Sequence, residues 1–328
     1  MNLLRLLVSL TPYHGYTASR LPSVVCAIGV LTMFVYIVRV WYGPRTAWYG
    51  LLMLAAAPWF LHMGRLATND ILYPLALLVL LVYTTEAQQP HKRWFFLMTP
   101  ILFSLILYIP GMVWLVALCA LWYREDFAAM WASASSSLRA QWLMLWPVML
   151  SLLGYALWNT PKLTLDWAGL PHSLPGPLNV LRHFGGVWAH IFARGPQDPT
   201  MGLGYLPLLN LFITVMFVTG ACFYIIHWRA NRSRLLLCIV LLSATLIALA
   251  GPVSVSILLP LVFALVAGGL GYLMHEWFKT FPHNPFARTL GYVLILSVLG
   301  FSTIYNLRQY FVAWPRADTT KATFIHRL

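Results

Sequence analysis

Acidic side chains are nearly missing from this sequence: Asp and Glu number 8 in 328 residues, and charges of both signs make up only 9%. Soluble domains carry about a quarter of their residues as charges, so a soluble globular fold is excluded. Cysteine is scarce too. Cys26, Cys119, Cys222 and Cys238 all fall inside apolar runs without metal-ligand spacing, so they read as small core or lipid-facing residues and leave the redox compartment open. The glycine-rich "AGGLGY", 267 to 272, lies inside an apolar run and reads as a site of close helix packing rather than a phosphate cradle.

What is abundant is apolar: 60% of residues are hydrophobic and the mean hydropathy is +0.75. That composition belongs to a polytopic membrane protein of all-α class. Lys and Arg total 21, but they stand in short clusters between apolar runs. This is the pattern of topology-setting charge and not of a basic groove, so nucleic acid is not an expected partner.

A bilayer core takes roughly 20 apolar residues per helix. Ten segments are expected, near 21–41, 46–63, 70–85, 94–108, 111–123, 141–159, 205–227, 235–251, 253–275 and 289–307. The fourth and fifth meet at "YIPG", 108–111, where Pro110 stops a helix and Gly111 permits a tight turn, which predicts a hairpin. With ten alternating spans, "RVWYGPR", "HKR", "REDF", "WRANRSR" and "FKTFPHNPFAR" share one side, cytoplasmic by the positive-inside rule. The turns at 64–69, 108–111 and 251–254 then lie opposite. Residues 1–20, with Arg5 among leucines, read as an interfacial segment; 21–307 form the bundle, 160–204 one long outer loop, and 308–328 an extracytoplasmic tail.

With sides assigned, the acids divide. Glu86, Glu125, Asp126 and Glu276 stand beside Arg or Lys at cytoplasmic ends, where local pairing accounts for them. Asp70, Asp166, Asp198 and Asp318 are outside, and Asp70 alone opens a span, in "HMGRLATNDILYP". Two roles compete there: Thr68, Asn69 or Asp70 as a helix cap, or Asp70 as a functional carboxylate. In the outer loop, "LNVLRHFGGVWAHIF" predicts a short amphipathic helix on the membrane carrying Arg182, His183 and His190, with Arg194 just after it. His172, His183 and His190 have no i, i+4 pair, so spacing names no metal site, although a histidine is able to pair with an aspartate such as Asp70. The aromatics at span ends read as belt residues.

Residues 16–87 resemble the membrane-embedded GT-C glycosyltransferases of the protein O-mannosyltransferase and lipid A aminoarabinose transferase type. The likeness rests on an "RLPS" entry into a span, a "YGPR" turn, and an outward Arg-x-x-x-x-Asp, Arg65 to Asp70. It covers about a quarter of the chain; the rest is similar in layout only, with a hairpin, a long outer loop holding "ARGPQDP", and an outer tail, "YFVAWPRADTTKATF". The resemblance implies transfer of a sugar from a polyprenyl-phosphate donor to a glycan, lipid or protein acceptor at the outer face of the plasma membrane. Such a transfer needs a carboxylate for the acceptor's proton and cations for the departing phosphate. Asp70 matches the family's second outer acid, which in relatives helps organise the site and its metal, and it is the catalytic candidate in this sequence. Arg20, Arg65, Asn69, Lys162, Arg182 and Arg194 are the substrate-binding candidates, with snorkelling at the interface as the plainer account of Arg20 and Arg65. A divalent metal is the one cofactor implied, with Asp70 and His190 as its ligands; no nucleotide or redox cofactor is expected.

Two departures stand out. Relatives of that type carry a catalytic aspartate in a first outer loop, and residues 1–20 contain no acid, so the expectation is either of a chain whose first span and loop precede residue 1 or of a degenerate or partner-dependent form, inactive as it stands. The family's lysine beside the hairpin is replaced by "YIPG". The alternative is a non-catalytic transporter of lipid-linked sugar or an accessory membrane subunit. Against it, the sequence shows no intramembrane acid and no internal repeat of the kind transporters use.

Overall fold

The computed structural model describes residues 16–66, 68–87, 93–195, 202–203 and 205–325, and among them every regular element is helical. The interfacial segment around Arg5, most of "HKR" and the "PQDPT" stretch with Asp198 lie outside the described residues.

Helix α1 is Tyr16–Tyr42, followed by α2, Pro44–Ala55, and α3, Pro58–Arg65. The expected single segment 46–63 is therefore two helices. Pro58 forces the preceding residue out of helical geometry, and Ala57 is extended at ψ 125°. After α3 the chain bends by 119°, makes a 3-10 turn, Asn69–Ile71, and enters α4, Leu72–Glu86. Helices α5, Arg93–Leu107, and α6, Met112–Trp122, form the hairpin expected at 108–111. Gly111 takes φ +77° there, and a Cβ on it would fall 2.6 Å from Val253 Cγ2. Both conformation and space reserve the position for glycine.

The connector α7, Arg124–Ser133, buries Met130 and lays Phe127 against Tyr83 and Phe103. Then come α8, Ser136–Asn159; α9, Lys162–Ala168; α10, Pro177–Phe192; α11, Leu211–Ile226; and α12, Asn231–Ala248. A 3-10 turn, Val255–Leu258, leads into α13, Leu259–Thr280. Helix α14, Pro285–Arg308, continues through a π-helical turn, Gln309–Ala313, to Arg316, well past the expected end at 307, and α15 is Asp318–Ile325.

Among the described residues, five helices are long and apolar enough to cross a membrane: Arg20–Tyr42, Ser136–Asn159, Asn231–Ala248, Val255–Thr280 and Pro285–Arg316. The bent pair Pro58–Arg65 and Asn69–Glu86 makes a sixth if taken together, while α5, α6 and α11 are shorter apolar helices. Helix α13 is the axis of the bundle, with every residue from Leu259 to Leu270 buried. A helix apolar all round demands such a central place. Its "AGGLGY" stretch packs as expected, since Gly269 abuts the backbone of Met216 and Gly220 on α11. Helix α8 is the opposite case. None of its residues is buried, and Leu143, Met144, Val148, Leu152 and Tyr155 all point out of the bundle.

The loops sort to two ends. At one, Arg232 hydrogen-bonds the Trp41 carbonyl at 3.0 Å, the Trp122 indole donates to Asn231 at 2.9 Å, and Arg45 donates to Tyr292 at 2.9 Å. There too Arg124 meets Glu125 at 3.8 Å and Lys279 meets Glu276 at 3.9 Å, whereas Glu86 accepts from the Tyr36 hydroxyl. At the other end, Gly111 N–H donates to the Trp167 carbonyl at 2.9 Å and the Trp167 indole to the Leu107 carbonyl at 2.6 Å. Gly251 lies so close that a Cβ on it would sit 2.2 Å from the Gly169 oxygen. Asp70 belongs to this second end.

Candidate functional site

The break between α3 and α4 creates the site. Leu66 and Thr68 are extended, so the 3-10 turn Asn69–Ile71 stands off the end of α3 and holds Asp70 half-buried at the mouth of the bent pair. Neither the 3-10 turn nor α4 has a side-chain cap, so the capping role open to Thr68, Asn69 and Asp70 is not taken up.

The Asp70 carboxylate is instead bonded across the bundle. Ser254 Oγ donates to Asp70 Oδ1 at 2.6 Å. Ser256 Oγ donates to the Asp70 carbonyl at 2.7 Å and lies 3.0 Å from Ser254 Oγ. Tyr73, one turn further, donates its hydroxyl to the Pro252 carbonyl at 3.1 Å. The turn between α12 and α13 thus clasps the start of α4 at three points.

Beside it, the end of α3 meets the chain's C-terminal stretch. His62 is buried between Tyr310 and Trp314, each ring centroid 4.8 Å away, and the exposed Arg65 guanidinium lies 5.4 Å from the Trp314 ring. The π-helical turn before Trp314 widens the helix by one residue and sets both aromatic rings on α3, stacked within 6° of parallel.

The other nominated residues are spread over this end of the molecule. Arg20 is exposed in the first turns of α1, Asn69 is exposed beside Asp70, and Lys162 and Arg182 are exposed on α9 and α10. Arg194 lies over Tyr205, 4.6 Å from the ring centroid. Among the described residues no ion pair joins Asp70 to any of these cations.

The histidines are otherwise engaged than expected. His172 pairs with Asp166 at 3.2 Å, not with Asp70. His183 Nδ1 is 3.2 Å from the Ala248 carbonyl, and His190 Nδ1 is 3.0 Å from the Arg194 carbonyl. No three His, Cys, Asp or Glu side chains converge among the described residues. Asp70 and His190, the two nominated ligands, have different partners, Ser254 for Asp70 and the Arg194 carbonyl for His190. The loop helix α10 forms where expected, but its Val187 and Ile191 are buried and Trp188 and Phe192 meet Phe217 of α11, so one face belongs to the bundle.

Ser254, Ser256, Tyr73, His62 and Trp314 were not visible as site residues in the sequence. The only signal for the serines was the turn itself, "GPVSVS", whose proline and glycine mark a break without saying what it touches. Set against family models, curated proteins and solved structures, the chain finds no match in any of the three.

Proposed function

We propose that this chain is the membrane core of a GT-C-like glycosyltransferase, its ten apolar segments crossing or entering the plasma membrane. It moves a sugar from a polyprenyl-phosphate donor to a glycan, lipid or protein acceptor at the extracytoplasmic face. The observation that carries this reading is the state of Asp70. Of the acids assigned outside, Asp166 is paired with His172 and Asp318 lies 4.0 Å from Lys321. Asp70 alone is half-buried at the mouth of a span, with a neutral hydroxyl and no cation on its carboxylate among the described residues.

Such a carboxylate suits proton removal. With Oδ1 held by Ser254, the second oxygen accepts the hydrogen bond of an acceptor hydroxyl and takes its proton as that oxygen attacks the sugar's anomeric carbon. The bond from the anomeric carbon to phosphate oxygen breaks, and the electron pair stays on the polyprenyl phosphate. Arg65, five positions before Asp70 and exposed above Trp314, is the nearest nominated cation in sequence to meet that growing charge. Asp70→Asn keeps the shape and removes the base. Transfer of radiolabelled sugar from a polyprenyl-phosphate donor in membranes holding the variant falls by a factor of about 100 or more; a rate within about threefold of wild type refutes the role.

The 119° break itself favours a second reading. Transporters place their sites at interrupted helices, so a carrier or accessory subunit for lipid-linked sugar has the same hallmark. Flux of the donor across proteoliposomes without any transfer product would select it.

A further inference from the structure

Three hydrogen bonds tie the turn between α12 and α13 to the start of α4, and they are not equivalent. Ser256 to the Asp70 carbonyl and Tyr73 to the Pro252 carbonyl end on backbone oxygens. These two suffice to dock one segment on the other. The Ser254 bond ends on a carboxylate oxygen, 184 positions away in the chain. It fixes the orientation of a side chain that would otherwise turn freely, and that ordering costs rotamer entropy which a purely structural tie would avoid.

Ser254 is itself well held. Its Oγ accepts from the Ser256 N–H at 3.3 Å, closing the start of the 3-10 turn, while Ser256 Oγ lies 3.0 Å away. The turn runs straight into Ile257, Leu258 and Leu259, all fully buried at the head of α13. Ser254 thus caps the 3-10 turn that leads into the buried helix α13, and Asp70 stands on the 3-10 turn that leads into α4. The bond joins the heads of two helices, and the packing behind Ser254 holds the donor in place for a side chain that needs a fixed orientation.

We propose that Ser254 is the positioning residue of Asp70. Its hydroxyl covers Oδ1, sets the plane of the carboxylate, and leaves one oxygen to a ligand. The inference rests on reading Asp70 as the working carboxylate, yet it is measurable without any sugar. Dicyclohexylcarbodiimide adds to carboxyl groups of membrane proteins, and the adduct on the peptide containing Asp70 is quantified by mass spectrometry. The full chain, in nanodiscs of phosphatidylcholine and phosphatidylglycerol, is treated at pH 7, with Asp70→Asn as the blank.

Ser254→Ala uncovers Oδ1 and labels faster by about tenfold or more, the scale of a lost hydrogen bond to a charged group. Ser254→Thr keeps the hydroxyl and restores slow labelling. Ser256→Ala loosens the docking, lowers the melting temperature, and leaves the rate within about threefold of wild type, because it does not touch the carboxylate. Where Ser254→Ala does not fold, Ser254→Cys decides in the same direction, since a thiol is a weak donor. Labelling of Ser254→Ala within about twofold of wild type, or no rescue by threonine, overturns the assignment. If Asp70→Asn abolishes transfer while Ser254→Ala labels like wild type, only the positioning role is lost. If the labelling pattern holds while Asp70→Asn still transfers normally, the carboxylate is held by Ser254 but the enzyme reading fails.

Discussion

Gly220→Ala tests how the bundle is built around its central helix. Where α11 crosses α13, each helix offers a glycine to the other's backbone. A Cβ on Gly220 would lie 1.9 Å from the Leu265 oxygen and 3.0 Å from the Gly269 nitrogen; one on Gly269 would lie 2.1 Å from the Met216 oxygen and 2.7 Å from the Gly220 nitrogen. Carbon meets a carbonyl oxygen across a helix interface at about 3.3 Å, so a single added methyl pushes the two backbones apart by about 1.4 Å. The obstacle is main chain on both sides and cannot swing away. Overpacking of a core costs about 1–3 kcal/mol where side chains can adjust, and a gap of 0.5–1 Å already forfeits roughly a quarter to a half of each dispersion contact. The expected loss is therefore about 3 kcal/mol or more, read from reversible unfolding in bicelles. Gly269→Ala should cost a similar amount. The double variant is the sharper measurement, because the parting forced by one methyl makes room for the other, and the pair costs less than the sum by about 1 kcal/mol or more. A single variant within about 0.5 kcal/mol of wild type, or two costs that simply add, would refute the close crossing.

Two further outcomes follow from the same contacts. Trp314→Ala removes the ring against which His62 packs and over which Arg65 lies, at a cost of about 3 kcal/mol to the docking of the C-terminal stretch. Trypsin cleavage after Arg316 should accelerate at least tenfold on that scale, and an unchanged rate would show that the stretch is held elsewhere. Asn69→Cys, in a chain with Cys26, Cys119, Cys222 and Cys238 replaced, should react with a membrane-impermeant maleimide added to intact cells, since Asn69 is exposed beside Asp70. Reaction only after the inner leaflet is opened would reverse the orientation of the whole bundle.

Composition and run length made the class of the fold legible, and local chemistry made one turn legible. Pro110–Gly111 and the hairpin act within a few residues, and such a signal survives in a single sequence, whereas run length placed the starts of α11 and α14 at 205 and 289 and passed over the cap at Asn210 and Pro285. The missed break at Pro58 is instructive because its signal was present. Ala55, Ala56 and Ala57 kept the apolar run unbroken, and hydropathy has no term for the backbone clash that proline imposes on its predecessor. The π-helical turn at 309–313 had no such signal. It is set by the fit of Tyr310 and Trp314 on His62, a contact between segments some 250 positions apart in the chain.

The site divides in the same way. Asp70 was identifiable from its own neighbourhood, as an acid opening an apolar run in a chain nearly without acids. Its partners were not, because a hydroxyl in a turn has no chemistry until something faces it, and Ser254 faces Asp70 only through the fold. Topology links the two scales. Positive charge sorted the turns at 64–69, 108–111 and 251–254 to one side by counting Lys and Arg in the loops opposite, without reference to any contact. Packing joins the same turns independently, through Ser254 and Asp70, through Gly111 and Trp167, and through the approach of Gly251 to Gly169. The loops with the cations are joined to each other in turn, Arg232 to Trp41, Asn231 to Trp122 and Arg45 to Tyr292. The charge rule assumes ten alternating spans, whereas the hydrogen bonds show directly which turns lie together. The bond from Ser254 to Asp70, which brings the turn between α12 and α13 onto the start of α4, is the strongest reason to look for the chemistry of this protein at Asp70.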